Sequence, residues 1–149
     1  MLMSRHAHRG FTLVEILVVV VILGILATMV VPQFLEASIR AKSSSMLAQV
    51  QTVRKALEVY RTEHGNEYPT LAQMWTNLTI QTDAAGDAGG TLGPYLLKVP
   101  NNPFSNGSAI AADNSADWQY DETTGQIRAV VAPSTIAKLN LSSVDVVPQ

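Results

Sequence analysis

Glu15 is the residue whose type and position most demand an explanation. Across residues 11–31, "FTLVEILVVVVILGILATMVV", the only polar side chains are Thr12, Glu15 and Thr28. A charged side chain at the centre of a membrane helix costs roughly 2.5–3.5 kcal/mol on insertion scales, and less near an end. A buried charge is tolerable when paired, and breaking such a pair costs several kcal/mol. The chemistry that suits Glu15 is therefore an ion pair with an amine. Gly10, just before the run, offers a peptide bond that no side chain obstructs. Cutting there makes Phe11 a new N-terminus and Glu15 the fifth residue of the mature chain. Four residues along a helix rise about 6 Å, so the carboxylate stands one turn above the Phe11 ammonium. A second copy displaced along the axis brings its own amine level with Glu15. The plainer role, complementing the positive end of its own helix dipole, is worth well under about 1 kcal/mol when exposed. That does not offset burial in hydrocarbon.

Other chemistry is sparse. Asp113, Asp117, Asp121 and Glu122 cluster in "DNSADWQYDE", and oxygen ligation of Ca²⁺ is one reading of them. An EF-hand is ruled out, because Trp118 stands where its glycine belongs and Thr124 where its bidentate glutamate belongs. A solvated acidic loop is the simpler reading, and no metal or cofactor is expected. Of three histidines, His6 and His8 precede the apolar run, leaving His64 at a helix end. No nucleophile-elbow, phosphate-loop or His-Glu-x-x-His pattern occurs, so no catalytic residue is assigned and the chain is not read as an enzyme. Arg40, Lys42, Arg54, Lys55 and Arg61 are interleaved with Glu58 and Glu63, a solvated helix face rather than a surface for nucleic acid. The net charge of −2 gives no field to steer a charged partner. "NLT", "NGS" and "NLS" match glycosylation sequons by pattern alone. There are no cysteines, so neither a disulfide framework nor a thiolate metal site exists.

The elements that must position Glu15 begin with a basic, polar segment, "MLMSRHAHRG", carrying Arg5 and Arg9 and no acidic residue. A basic flank before an apolar run marks an exported chain whose basic side stays in the cytoplasm. A secretory signal has an apolar core of about 7–15 residues and a small-residue cleavage site; this run is longer and is followed by bulky "TMVVPQF". A plain anchor suits the length, since about 20 apolar residues span the hydrocarbon, but leaves Glu15 unexplained. Beyond it, Pro32 lacks an N–H and weakens the helical ladder, kinking or locally opening it. Ile39, Ser43, Met46, Val50, Val53, Leu57 and Tyr60 then follow a four-three spacing, one apolar stripe. Glu58 is spaced to pair with Arg54 and Arg61 on the surface. Gly65 is a credible stop, so residues 11–64 read as one helix on the order of 80 Å long. Thr70 with Gln73 suggests a capping box opening a short second helix through Leu71, Met74, Trp75 and Leu78. Residues 81–116 are rich in Gly, Asn, Ala and Pro and read as loops. "DWQYDETTGQIRAVVA" reads as a hairpin, with Trp118 and Tyr120 alternating with polar residues. The tail, residues 133–149, is open between a short strand and a loose end. Without residues 11–31 the apolar content supports only one modest core.

"RGFTLVEILVVVVILGILA" resembles the N-terminal signature of type IV pilins and of the pseudopilins of type II secretion, with matches at Gly10, Phe11, Thr12, Leu13, Glu15, Gly24 and Pro32. The resemblance implies that a prepilin peptidase cuts after Gly10 and methylates the new Phe11 amine. "EVYRTEHGNEYPT" and "GPYLLKVPNNPFSNG" are similar to the corresponding parts of the major-pseudopilin branch. Two departures stand out. Asn102 occupies the usual Asp position, and Phe104 and Ser105 replace Trp-Gly. The calcium-binding acidic loop of that branch has no clear equivalent here. The lack of cysteine favours pseudopilin over the many pilins whose C-terminal loop is closed by a disulfide.

The expected protein is α+β and pilin-like, a long N-terminal helix packed on a small antiparallel sheet with loops. Residues 1–10 form the leader, 11–34 the transmembrane and filament-core helix, and 35–149 a periplasmic head including the amphipathic half of the helix. The resemblance implies a structural filament subunit, crossing the inner membrane once and then joining a periplasmic filament. Its partners would be its own copies, the peptidase, the assembly platform, other pseudopilins and the membrane, with no nucleic acid. A type IV pilus subunit is the nearer alternative, and a tethered binding module that never polymerises the further one.

Overall fold

A computed structural model describes residues 10–143 and 145–149. The leader residues 1–9, with Arg5, Arg9, His6 and His8, lie outside the described residues. By internal contacts the chain divides into two units, one ending at Ile39 and the other Arg40–Gln149.

Helix α1, Leu13–Glu63, runs unbroken through Pro32. From Leu13 to Val31 only Glu15 and Thr28 interrupt an apolar surface on every side, and none of the most hydrophobic window is buried. From Arg40 onward the four-three stripe takes effect: Ser43, Met46, Val50, Val53, Leu57 and Tyr60 are buried, joined by Ala56. The helix ends as Gly65 predicts. Gly65 and Asn66 turn to φ 67° and 72°, and the Asn66 N–H returns to the Arg61 carbonyl at 2.9 Å, a Schellman-type closure that satisfies a terminal carbonyl.

The buried stripe packs against a four-stranded sheet in the order β1-β2-β3-β4. The strands are β1 (Ile110–Ala111), β2 (Trp118–Asp121), β3 (Gln126–Val131) and β4 (Val146–Pro148). The expected hairpin is β2–β3, antiparallel, with Trp118 opposite Ala129 and Tyr120 opposite Ile127. Those four side chains are fully buried, as period-two alternation requires.

The sheet is mixed, which corrects the expectation of an antiparallel one. Both outer pairings, β1–β2 and β3–β4, are parallel. Parallel neighbours need a crossover rather than a tight turn. The tail supplies one as a short helix α3, Pro133–Leu139, between β3 and β4. Pro133 opens it, where a missing N–H costs nothing, and Asn140 closes it in the left-handed conformation.

Helix α2, Met74–Thr79, starts later than the capping box suggested. The Thr70 hydroxyl lies 3.5 Å from the Gln73 side-chain oxygen, and Gln73 at the cap position makes no side-chain cap. The Leu71 N–H instead donates to Glu122 Oε2 at 2.7 Å. That bond ties the segment ahead of α2 to the β2–β3 turn.

Two polar side chains tie the head together. Arg54 donates to Asp145 Oδ1 at 2.7 Å and to the Ile127 carbonyl at 2.9 Å, joining α1 to β3 and the start of β4. Its ion pair is thus a long-range, half-buried one rather than only a surface pair along the helix. Asn102 is fully buried and donates both amide hydrogens, to the Asp117 and Val130 carbonyls, while its oxygen accepts from Phe104 N–H. A carboxylate there would face two carbonyl oxygens with no hydrogen to give.

Candidate functional site at the start of the first helix

Gly10, Phe11 and Thr12 precede the first turn of α1. Gly10 is exposed, and a Cβ built on it meets nothing within 4 Å. Phe11 is 75% exposed. The scissile bond expected here is therefore open to a peptidase. Phe11 lies two residues before the helix proper, whereas the sequence reading placed it inside.

Glu15 is held by a contact that the sequence reading overlooked. Thr12 Oγ1 accepts from the Glu15 N–H at 3.2 Å, and the Thr12 N–H reaches back to Glu15 Oε2 at 3.4 Å. This is a reciprocal capping box, Thr-x-x-Glu, which satisfies two of the four orphan amides at a helix start. Its signal, "TLVE", was legible in the sequence. The box aims the carboxylate back toward Phe11 and leaves acceptor capacity on its oxygens, since an ionised carboxylate offers about four lone-pair sites.

Around this cap the surface is almost wholly apolar. Leu13, Val14, Ile16, Leu17, Ile25, Met29, Phe34 and their neighbours are each about half exposed or more. The remaining polar group, Thr28, turns its hydroxyl onto the Ile25 carbonyl at 2.7 Å. Each such large side chain gains roughly 1.5–3 kcal/mol on leaving water, so this surface needs a lipid or protein cover. Among the described residues one helix, α1, is long and apolar enough to cross a membrane, with mean hydropathy 3.0 over its best window.

The acidic loop makes no comparable cluster. Asp113 accepts from Ser115, Asp117 from the Ala109 N–H, Asp121 from the Thr123 and Thr124 N–H groups, and Glu122 from Leu71. Local hydrogen bonds hold the Asp113 and Asp121 carboxyls below their usual range, chiefly those from Ser115 and Thr124. Among the described residues, no three His, Cys, Asp or Glu side chains converge as a metal site. Asn77, the first sequon asparagine, is buried and donates to the Tyr60 hydroxyl. His64 is buried in the head.

Comparison with known proteins decides what this arrangement is. Residues 5–31 match the prokaryotic N-terminal methylation motif. Residues 33–123 match the family described as type II secretion system (T2SS), protein G. The chain belongs to the type II secretion protein G family. Its relatives include the type II secretion system core protein G of Aeromonas hydrophila, 33% identical over 70% of this chain and 73% of the relative. That of Pseudomonas aeruginosa is 36% identical over 70% and 73%, and that of Klebsiella michiganensis 39% over 68% and 72%. No solved structure matches. Members of this protein G family are major pseudopilins of type II secretion, and the family role is structural. The apolar start of α1 is accordingly a membrane anchor.

Proposed function

We propose that the chain is cut between Gly10 and Phe11 by a prepilin peptidase, methylated on the Phe11 amine, and assembled from the inner membrane into a periplasmic filament that drives protein export. The observation that carries this is the anchor surface: apolar on every side, with Glu15 the only charge and its carboxylate turned toward Phe11. In lipid the Thr12 cap partly satisfies that carboxylate. In the filament it keeps the cap and gains the terminal ammonium of an adjacent copy, so that neither charge is buried alone. Lipid-facing side chains become protein-facing, and Pro32 marks the place where the helical ladder is weakest. The head stays periplasmic, the leader cytoplasmic, and the assembly platform and other pseudopilins are the partners. No metal or cofactor is needed for this role.

Intact mass of the membrane-extracted protein tests the processing step. A chain beginning at methylated Phe11, its net charge lowered from −2 to −4 by loss of Arg5 and Arg9 (eight basic residues against twelve acidic), is the expected result. A mature start after Ala37 would overturn it.

A further inference from the structure

Just beyond its apolar stretch, helix α1 carries two cations that work against the membrane orientation proposed above. Arg40 and Lys42 follow Val31 on the same unbroken helix, with no loop between. Both are exposed, and the buried stripe of α1 begins only at Ser43, so neither belongs to the head core. The next cation on the helix, Arg54, is bound instead to Asp145 and to the Ile127 carbonyl.

The orientation of a single span is biased by the lysines and arginines within about 15–20 residues of its ends, and carboxylates contribute little. Cations resist leaving the cytoplasm because that side of the membrane is electrically negative and its leaflet is anionic. Before the span, residues 1–10 hold Arg5 and Arg9; after it, residues 32–51 hold Arg40 and Lys42 and no other lysine or arginine. Histidine is counted as neutral, and Glu36 carries little weight in such a count. Arg54 and every cation after it lie too far from the span to enter. The two sides are therefore balanced, two cations against two.

Taking the orientation with the leader cytoplasmic and the head periplasmic, on which this rests, we propose that Arg40 and Lys42 are a head-side counter-signal, and that Arg5 and Arg9 serve to cancel it while the head crosses. Without Arg5 and Arg9 the bias keeps Arg40 and Lys42 in the cytoplasm, and the head with them. Without all four, the leader arginines are no longer needed. Cleavage after Gly10 then discards the cancelling charges once the head has crossed and its folding blocks return.

The chain has no cysteine, so one introduced at exposed Ala84 reports the side on which the head lies. The full-length Ala84→Cys chain is expressed without prepilin peptidase or assembly machinery, which separates orientation from processing and from filament formation. Spheroplasts are treated with a membrane-impermeant maleimide, and the signal is divided by that after detergent lysis, so differences in expression cancel. The starting chain should be labelled almost completely. Adding Arg5→Gln and Arg9→Gln should lower the labelled fraction at least about threefold. Adding Arg40→Gln and Lys42→Gln to those two should restore it to within about 1.5-fold of the starting value. Arg40→Gln with Lys42→Gln alone should leave it unchanged. Full labelling of the leader variant, or a fourfold variant labelled no better than the leader variant, would overturn the counter-signal. A starting chain labelled only after lysis would overturn the orientation itself, and the counter-signal with it.

Discussion

The anchor, residues 11–34, and the head treat their polar groups in opposite ways. In the anchor every polar contact is local: Thr12 with Glu15, and Thr28 with Ile25. In the head the decisive contacts span the chain, from Arg54 to Asp145, Asn102 to Val130, Tyr120 to Pro69 and Leu71 to Glu122. The apolar surfaces divide the same way. The head buries Trp118, Tyr120, Met46 and Leu57 against itself, whereas the anchor exposes all its large side chains. A segment with only local polar contacts is indifferent to what covers its apolar side. That is what a helix passing from lipid to protein requires, and it leaves Glu15 as the one group able to tell the two covers apart.

The contrast breaks most visibly in the head core. Trp118→Ala removes a fully buried ring and should cost about 3–5 kcal/mol, seen as a large drop in the denaturation midpoint of the head in detergent. Leu17→Ala, in the exposed anchor, should leave that midpoint unchanged. Equal losses from the two would erase the distinction.

The half-buried Arg54–Asp145 pair ranks next. Arg54→Met should cost roughly 1.5–3 kcal/mol, the worth of hydrogen bonds to a charged group, and a double-mutant cycle with Asp145→Asn should show coupling. Additive effects would mean that the contact contributes only packing.

Alkaline pH should act on the head alone. Burial drives the Tyr120 and Tyr95 phenols above their usual range. A pKa raised by folding contributes stability that is fully present below the unfolded value, about 10, and is lost as pH rises toward the folded one. Head stability should therefore fall above about pH 10 while anchor helicity in micelles holds. Phenolate absorbance and circular dichroism, followed together, check this; phenolates appearing with the head still at full stability would contradict it.

Calcium should do least. The four acidic carboxylates each already accept backbone N–H hydrogen bonds, and millimolar Ca²⁺ is expected to leave the melting temperature of the full-length protein in detergent nearly unchanged. A saturable rise of several degrees would mean selective binding to the folded state, and the acidic loop would then be a metal site.

What was legible in the sequence follows the same division. The amphipathic half of α1 and the β2–β3 hairpin were readable because their periods, four-three and two, persist over several repeats. Strands β1 and β4 were not, because two or three residues carry no period and their parallel pairing depends on distant crossovers. The Thr-x-x-Glu/Gln pattern stands ahead of a helix at Thr12 and at Thr70, and it closes as a box only at Thr12. At Thr12 nothing competes, so the box closes locally. At Thr70 the Gln73 N–H goes to the Thr70 carbonyl, and the neighbouring Leu71 amide is held by Glu122 from another element. Local sequence could not show that distant partner. It also could not show that Asn102 is the neutral pivot of its loop, although the unusual residue was visible.

Glu15 itself gives the most direct test. Glu15→Gln keeps the size and much of the Thr12 cap but removes the charge, and Glu15→Leu removes both. Neither should disturb cleavage at Gly10 or the stability of the head, and membrane insertion should improve if anything. The measurement is filament yield, sheared and imaged from cells carrying the assembly machinery, with processing and membrane level checked alongside. Both variants should be processed normally and assemble poorly or not at all, because the ammonium of an adjacent copy loses its partner. Normal filaments from processed Glu15→Leu would contradict the pairing.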